Sequence, residues 1–415
     1  MTSNKKRTSR TALLVALCWL VYTASYLGKL GYSANITEIE RVYGVTHASA
    51  GMVSTFFFFA YGVGQIINGI LCKRYNLRQI VFVSLMISGL MNCLVGITPS
   101  FALIKYFWLV NGAALSVLWA SLVRLLSENL DECDINRTII ILGTTVPAGT
   151  LIVYGLSALL VALDCYVLIF YIAAILLPPV ALLWFFSYPS LVKSTGANVE
   201  VEISGAGQLH NSPISGKLWD SICVLAFFAI AVNLVKDGLT TWVPMILKET
   251  YALPNYMSIL STLLLPILAL FGTAVAIRLN KKIKDLVFLS AVMFFMSALL
   301  IGAVILCLPT GLVAVTLASF ALVSCLMSGI NNIITSMAPL YWKENINPGL
   351  LAGVFNGFCY AGSTVSAYGL GAIADRGGWE AVIWLLFGLC AFAVALGGVC
   401  FTLGKVRGRS SIASN

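Results

Sequence analysis

Long apolar runs separated by short polar punctuation set the pattern of this chain. The stretches from Ile152 to Leu163 and from Leu286 to Leu306 show no alternation of apolar and polar positions. A membrane β-strand would alternate over about ten residues, so the runs read as helices. A helix that crosses the hydrocarbon core needs about 20 apolar residues. Twelve such spans are predicted, over 11–36, 49–72, 80–98, 101–126, 138–162, 166–187, 219–247, 256–278, 286–308, 311–337, 350–374 and 379–403. Lys5, Lys6, Arg7 and Arg10 precede the first run, which resembles a signal peptide. The run is too long for one and lacks a small-residue cleavage site, so it reads as a retained helix.

One polar stretch is long. It is rich in Ser, Gly, Asn and Pro and reads as a linker. The chain is thereby divided into an N-terminal six-helix half (1–187), a cytoplasmic linker (188–218) and a C-terminal six-helix half (219–415). The halves look like an internal repeat. Tyr154-Gly155-Leu156-Ser157-Ala158 matches Tyr368-Gly369-Leu370-Gly371-Ala372, and Lys29-Leu30-Gly31-Tyr32-Ser33 matches Lys236-Asp237-Gly238-Leu239-Thr240. The two offsets, 368 − 154 = 214 and 236 − 29 = 207, are both near half of the 415 residues. The expected fold is an all-α membrane protein of twelve transmembrane helices in two six-helix halves, a known transporter architecture.

Composition agrees and narrows the function. Hydrophobic residues make up 60% and charged residues 10%, against about 45–50% and 25% in ordinary soluble domains. A soluble enzyme, a nucleic-acid-binding domain, a disordered chain and a secreted disulfide scaffold are excluded. The net charge of +9 comes from Lys and Arg clustered between the apolar runs, as topology signals are. With the N-terminus inside, the outer segments hold only Arg41, Lys105, Lys248 and Arg376. Both termini are therefore expected in the cytoplasm of a multi-pass cell-membrane protein. The eleven cysteines form no CxxC pair, and His47 and His210 fall in loops far apart. No metal site, cofactor, phosphate loop or nucleophile–base pair is expected, so the chain does not read as an enzyme.

Lys29 and Lys236 are the basic residues well inside predicted spans. A lysine there costs about 2.5–3.5 kcal/mol on insertion scales, so it faces a cavity or a partner, or snorkels to the headgroups. If both line one cavity, about 8 Å apart at an effective dielectric near 20, they repel by roughly 2 kcal/mol. A bound anion relieves that repulsion. Tyr22, Tyr26, Lys29 and Ser33 share one helical face, as do Asn233, Lys236, Thr240 and Pro244. Asp237 is either the counter-ion of Lys236 or a proton-linked group. Further polar faces carry Asn111 and Trp119; Ser328, Asn332 and Thr335; and Asn356, Tyr360 and Ser363. Such groups fix a substrate or bond helix to helix. Tyr22, Tyr26, Asn332, Asn356 and Tyr360 are the candidates for the substrate. The acidic cluster Glu128, Asp131, Glu132 and Asp134 reads as a solvated loop or as partners of Arg124 and Arg137.

At these residues the sequence resembles a known family. The segment with Gly353, Asn356, Gly357, Tyr360, Gly362 and Ser363, closing on Gly371, Asp375 and Trp379, carries the resemblance most strongly. Ser54 to Gln65, Asn111-Gly112-Ala113 with Trp119, and Asp237 to Pro244 add to it. The chain resembles the organophosphate:phosphate antiporter family of the major facilitator superfamily, some members of which act as sensors. The resemblance implies twelve helices that rock in two halves around a central site. It also implies a small anionic substrate, most simply a phosphate ester exchanged for inorganic phosphate. The expected partners are the bilayer and that anion, with no nucleic acid, and the chain is expected to be monomeric. The family's phosphate-clamping arginines fall at Lys29 and Lys236. Lysine lacks the bidentate fork of arginine, which brings carboxylates and phosphonates into range. Two further departures are Thr144-Thr145-Val146-Pro147-Ala148, where some members have a histidine, and Cys72-Lys73-Arg74, where an acidic residue is usual. The alternatives to exchange are a ligand-binding membrane sensor and proton-coupled carboxylate or phosphonate uptake with Asp237 as the coupling group.

Overall fold

Apolar side chains face lipid only if the backbone between them satisfies its own hydrogen bonds. Among the described residues every regular element is accordingly a helix. The computed structural model describes residues 2–71, 74–130, 138, 141–192, 216–346 and 348–413. Most of the predicted linker (193–215), His210, and Asp131, Glu132, Asp134 and Arg137 lie outside the described residues.

In chain order the helices are α1 (Thr2–Ala34), α2 (Ile36–Tyr43), α3 (His47–Leu71), α4 (Leu77–Ile97), α5 (Phe101–Leu115), α6 (Leu118–Asn129), α7 (Thr145–Ala162) and α8 (Leu168–Leu191). They continue as α9 (Gly216–Tyr251), α10 (Asn255–Ser261), α11 (Leu264–Ala269), α12 (Gly272–Asn280), α13 (Leu286–Cys307), α14 (Val313–Asn332), α15 (Ala338–Tyr341) and α16 (Pro348–Ala413). Eleven helical stretches among them are long and apolar enough to cross a membrane. The last, Pro348–Thr402, has 55 residues, which at 1.5 Å each is about 80 Å against a hydrocarbon core of about 30 Å. It turns at Gly378, whose φ of 70° and ψ of 178° are non-helical. The two arms serve as two spans, which completes twelve.

Several predicted spans are interrupted among the described residues, the span 138–162 at Thr144 among them. The span 101–126 breaks at Ser116 and Val117, where the Ser116 hydroxyl donates to the Ala113 carbonyl and accepts from Asn68 Nδ2. The span 256–278 is divided into α10, α11 and α12. The span 311–337 ends in a π-turn, Ile333–Met337, in which the Ala338 amide bonds the Ile333 carbonyl. Pro339 follows; it has no amide for the carbonyl four residues back and its ring crowds that carbonyl, so the regular helix does not resume unchanged.

The chain folds into two compact units that follow its halves, apart from two short segments that change sides. Unit 1 holds Met1–Val45, Met52–Glu200 and Pro254–Leu263; unit 2 holds Thr46–Gly51, Val201–Leu253 and Leu264–Asn415. In unit 1, α1 packs on α7 and α8, and α4 on α5 and α8. Unit 2 has a corresponding core in which α9 packs on α16 and α14, and α13 on α14 and α16. The repeated motifs thus lie on packed helix pairs in both units: Lys29 to Ser33 and Tyr154 to Ala158 on α1 and α7, Lys236 to Thr240 and Tyr368 to Ala372 on α9 and α16. Close approach needs small residues. A Cβ at Gly362 of α16 would lie 2.1 Å from the Ile230 carbonyl oxygen of α9.

Each exchanged segment is held by polar groups. Within unit 2, Asp375 accepts from the His47 and Ala48 amides at 3.0 and 2.9 Å. A carboxylate on these first amides is favoured by the helix dipole. The His47 ring lies 3.5 Å from Glu249, which also accepts from Trp379 Nε1 at 2.7 Å. Within unit 1, Asn255 Nδ2 donates to the buried Glu38, which also pairs with Arg41 at 2.6 Å. That hydrogen-bonded carboxylate raises the Arg41 guanidinium above its ordinary value.

Candidate functional site

In unit 1 the geometry around Lys29 starts from the backbone. Asn111 Nδ2 donates to the Gly28 carbonyl at 2.7 Å and Asn92 Nδ2 at 3.3 Å. Two buried amides on one carbonyl fix α1 at the residue before Lys29. The Lys29 side chain then rests on aromatic faces. Its Nζ lies 4.5 Å from the Tyr61 ring centroid, 5.6 Å from Tyr26 and 5.9 Å from Phe57. Tyr61 and Phe57 come from α3 and stack on each other at 5.7 Å. Tyr26 continues into Tyr22 at 5.7 Å, and Tyr22 into Trp119 at 5.1 Å. Among the described residues no carboxylate lies within ion-pair distance of Lys29. The ring faces attract the cation, each by about 0.5–2 kcal/mol, but carry no counter-charge.

Unit 2 surrounds its lysine differently. Lys236 Nζ lies 3.6 Å from Asp237 Oδ1, with the two side chains 27% and 22% exposed. The Ser363 hydroxyl of α16 donates to Asp237 Oδ2. A second chain of bonds lies alongside. Asn331 Oδ1 accepts from Asn233 Nδ2 at 3.1 Å and from the Cys359 thiol at 3.4 Å. It ties α9, α14 and α16 together one turn before Lys236.

The predicted residues therefore fall into two groups by unit. Tyr22 and Tyr26 join Lys29 in unit 1 and are buried. Asp237 is beside Lys236 in unit 2. Asn332, Asn356 and Tyr360 are half-buried on α14 and α16 of the same unit. Asn332 and Asn356 make no side-chain hydrogen bond to another described residue. Phe57, Tyr61, Asn331 and Cys359 were not read as site residues from the sequence. The four-residue spacing of Phe57 and Tyr61 marks a shared face, but a core face gives the same signal. Asn331 and Asn332 are adjacent, and only the rotation of α14 decides which one turns to α9. Among the described residues no group of His, Cys, Asp and Glu could hold a metal ion.

The pattern of the Major Facilitator Superfamily matches residues 18–345. The chain belongs to that superfamily. It is a multi-pass membrane protein of a transporter family. Among curated relatives, the membrane sensor protein UhpC of Escherichia coli (strain K12) is 28% identical over 93 residues, 22% of this chain and 21% of that protein. A probable hexose phosphate transport protein of Chlamydia pneumoniae is 25% identical over 107 residues, 26% of this chain and 24% of that protein. A cis,cis-muconate transport protein of Acinetobacter baylyi (strain ATCC 33305 / BD413 / ADP1) is 30% identical over 107 residues, 24% of this chain and 25% of that protein. Each alignment thus spans about a quarter or less of the relative. The crystal structure of a bacterial homolog to the human lysosomal transporter Spinster, inward-facing and occupied, superposes with TM-score 0.74 at 13% identity. It covers 95% of this chain and 96% of that one. The superfamily fold extends over nearly the whole chain.

Proposed function

We propose that this superfamily member is a secondary carrier of a small organic anion. Its substrate is most simply a phosphate ester exchanged for inorganic phosphate. The observation that carries the reading is Lys29, a cation in an apolar helix, on aromatic faces, with no carboxylate beside it among the described residues. A charge in that setting is retained for an ionic partner that comes and goes. Lys29 and Lys236 bind the anionic group, and Tyr22, Tyr26, Asn332, Asn356 and Tyr360 read the rest of the molecule. The hexose phosphate transporter among the relatives supports a phosphate ester; the muconate transporter supports a carboxylate. The protein works as a monomer in the cell membrane, with both termini in the cytoplasm.

The test uses purified protein in proteoliposomes loaded with inorganic phosphate. Exchange against glucose 6-phosphate or cis,cis-muconate is expected, and is expected to be lost in Lys29→Ala and Lys236→Ala. A second reading is favoured by the similarity to UhpC, a membrane sensor protein: binding of the same anion without transport. Saturable binding with no flux would move that reading ahead. Neither binding nor flux with any of these anions would overturn both.

A further inference from the structure

The reading above leaves unexplained why one lysine carries its own carboxylate and the other does not. Lys236 and Asp237 together are neutral. Among the described residues, no further ion pair reaches Lys236 or Asp237 from the helices packed against α9. α13 and α14 contain no Asp, Glu, Lys, Arg or His. On α16 the titratable neighbours are Cys359, whose thiol feels both Lys236 and Asp237, and Tyr360 beside it. Asp375, Arg376 and Glu380 lie on the same helix, more than three turns along from Ser363.

An oxyanion that binds Lys236 competes with Asp237 for the same ammonium. If it wins, a carboxylate is left without its cation inside a membrane protein. An unpaired charge there is costly, and a carboxylate avoids the cost by taking a proton. Ser363 is built for both states. Its hydroxyl has two acceptors within reach, Asp237 Oδ2 and the Cys359 carbonyl oxygen at 3.2 Å. With Asp237 ionised, the hydroxyl donates to the carboxylate. With Asp237 protonated, it turns to the Cys359 carbonyl, and its oxygen accepts the new O–H of Asp237.

We propose that Asp237 is a tethered stand-in for the substrate anion. It holds Lys236 while the site is empty, yields it to an incoming phosphate or carboxylate oxyanion, and takes one proton from solvent as it does so. Ser363 is the positioning residue that keeps the displaced side chain in place. This rests on the anion-carrier reading and deepens it: a dianion enters with a proton and leaves with one.

The experiment measures protons taken up per anion bound by the purified full-length protein in weak buffer near pH 8. The probes are cis,cis-muconate, which does not itself titrate there, and inorganic phosphate and glucose 6-phosphate, corrected for their own titration. The wild type is expected to take up about one proton per anion, so that affinity rises up to roughly tenfold per unit fall in pH. Asp237→Asn is expected to bind roughly tenfold or more tightly at pH 8, with no proton uptake and no pH dependence. Ser363→Ala keeps the ion pair; its uptake persists, but the pH at which uptake occurs shifts. Binding without proton uptake by the wild type, or uptake retained in Asp237→Asn, overturns the proposal alone. If Asp237→Asn does not fold, an unshifted Ser363→Ala profile overturns the role of Ser363, and the wild-type stoichiometry still decides the rest. No binding of any probe to the wild type overturns it together with the carrier reading.

Discussion

The surroundings of Lys29 and Lys236 solve the same problem in opposite ways. Lys29 is held from behind, through the Gly28 carbonyl and two asparagines, and among the described residues its charge meets ring faces and no carboxylate. Lys236 is held from the front, by the carboxylate next to it in sequence, which Ser363 in turn holds. Two positions that match in an internal repeat thus differ in net charge. On the proposed reading, the first is left to an anion from outside, and the second is met by Asp237 until an anion replaces it. Repetition supplied the scaffold, and one residue, Leu30 against Asp237, divided the labour.

The contrast predicts unequal effects. Lys29→Ala removes the unneutralised charge and is expected to weaken anion binding by roughly 100-fold or more, as loss of one member of a desolvated pair does. Equilibrium binding of radiolabelled phosphate checks it. Lys29→Arg is expected to retain binding and to favour phosphate esters over carboxylates, because the guanidinium fork fits phosphate. Equal affinity of Lys29→Ala and the wild type would erase the distinction between the two lysines.

Next in size is the pair. Lys236→Gln strands Asp237 and is expected to destabilise the protein by about 2 kcal/mol, a part of the 3–5 kcal/mol seen for fully buried pairs. Lys236→Gln with Asp237→Asn is expected to recover most of that loss. Thermal unfolding in detergent compares the two; a double variant no more stable than the single one would show that the pair is not what holds Lys236. Tyr61→Ala comes third. A cation–π contact of about 1 kcal/mol predicts a loss of roughly fivefold in anion affinity, with Tyr61→Phe unchanged. Smallest is Asn111→Ala. The Gly28 carbonyl keeps Asn92, so the expected loss is about 0.5 kcal/mol of stability with no change in pH dependence. A pH-dependent binding change in that variant would mean that α1 also carries a proton-linked group.

The spans were legible because a helix in lipid must satisfy its own backbone bonds and be apolar for about 20 residues. Hydropathy therefore located α4, α8 and α13 within a few residues. It could not locate breaks made by single side chains, such as Ser116 bonding Ala113. The candidate site was legible as far as the charges within apolar runs, since Lys29, Lys236 and Asp237 stand out there. What surrounds them was not. An ideal helical wheel puts Ser328, Asn332 and Thr335 on one face, but the π-turn at Ile333–Met337 resets the register, and Thr335 bonds back to the Asn331 carbonyl. Phe57 and Tyr61 are apolar in pattern, and only their position over an ammonium distinguishes them from core.

The exchanged segments bear on whether the halves can exist apart. A gene cut within the linker would yield a first half that lacks residues 254–263 of its own unit and carries residues 46–51 of the other. The second half would be wanting in the reverse sense. Asp375 would have no His47 amide to cap, and Glu38 no Asn255 to hold. Each fragment alone would lack a segment of its own unit, and co-expression of the two is expected to be needed to rebuild the protein. The matching halves of the sequence are therefore not the same as the units in which the chain packs.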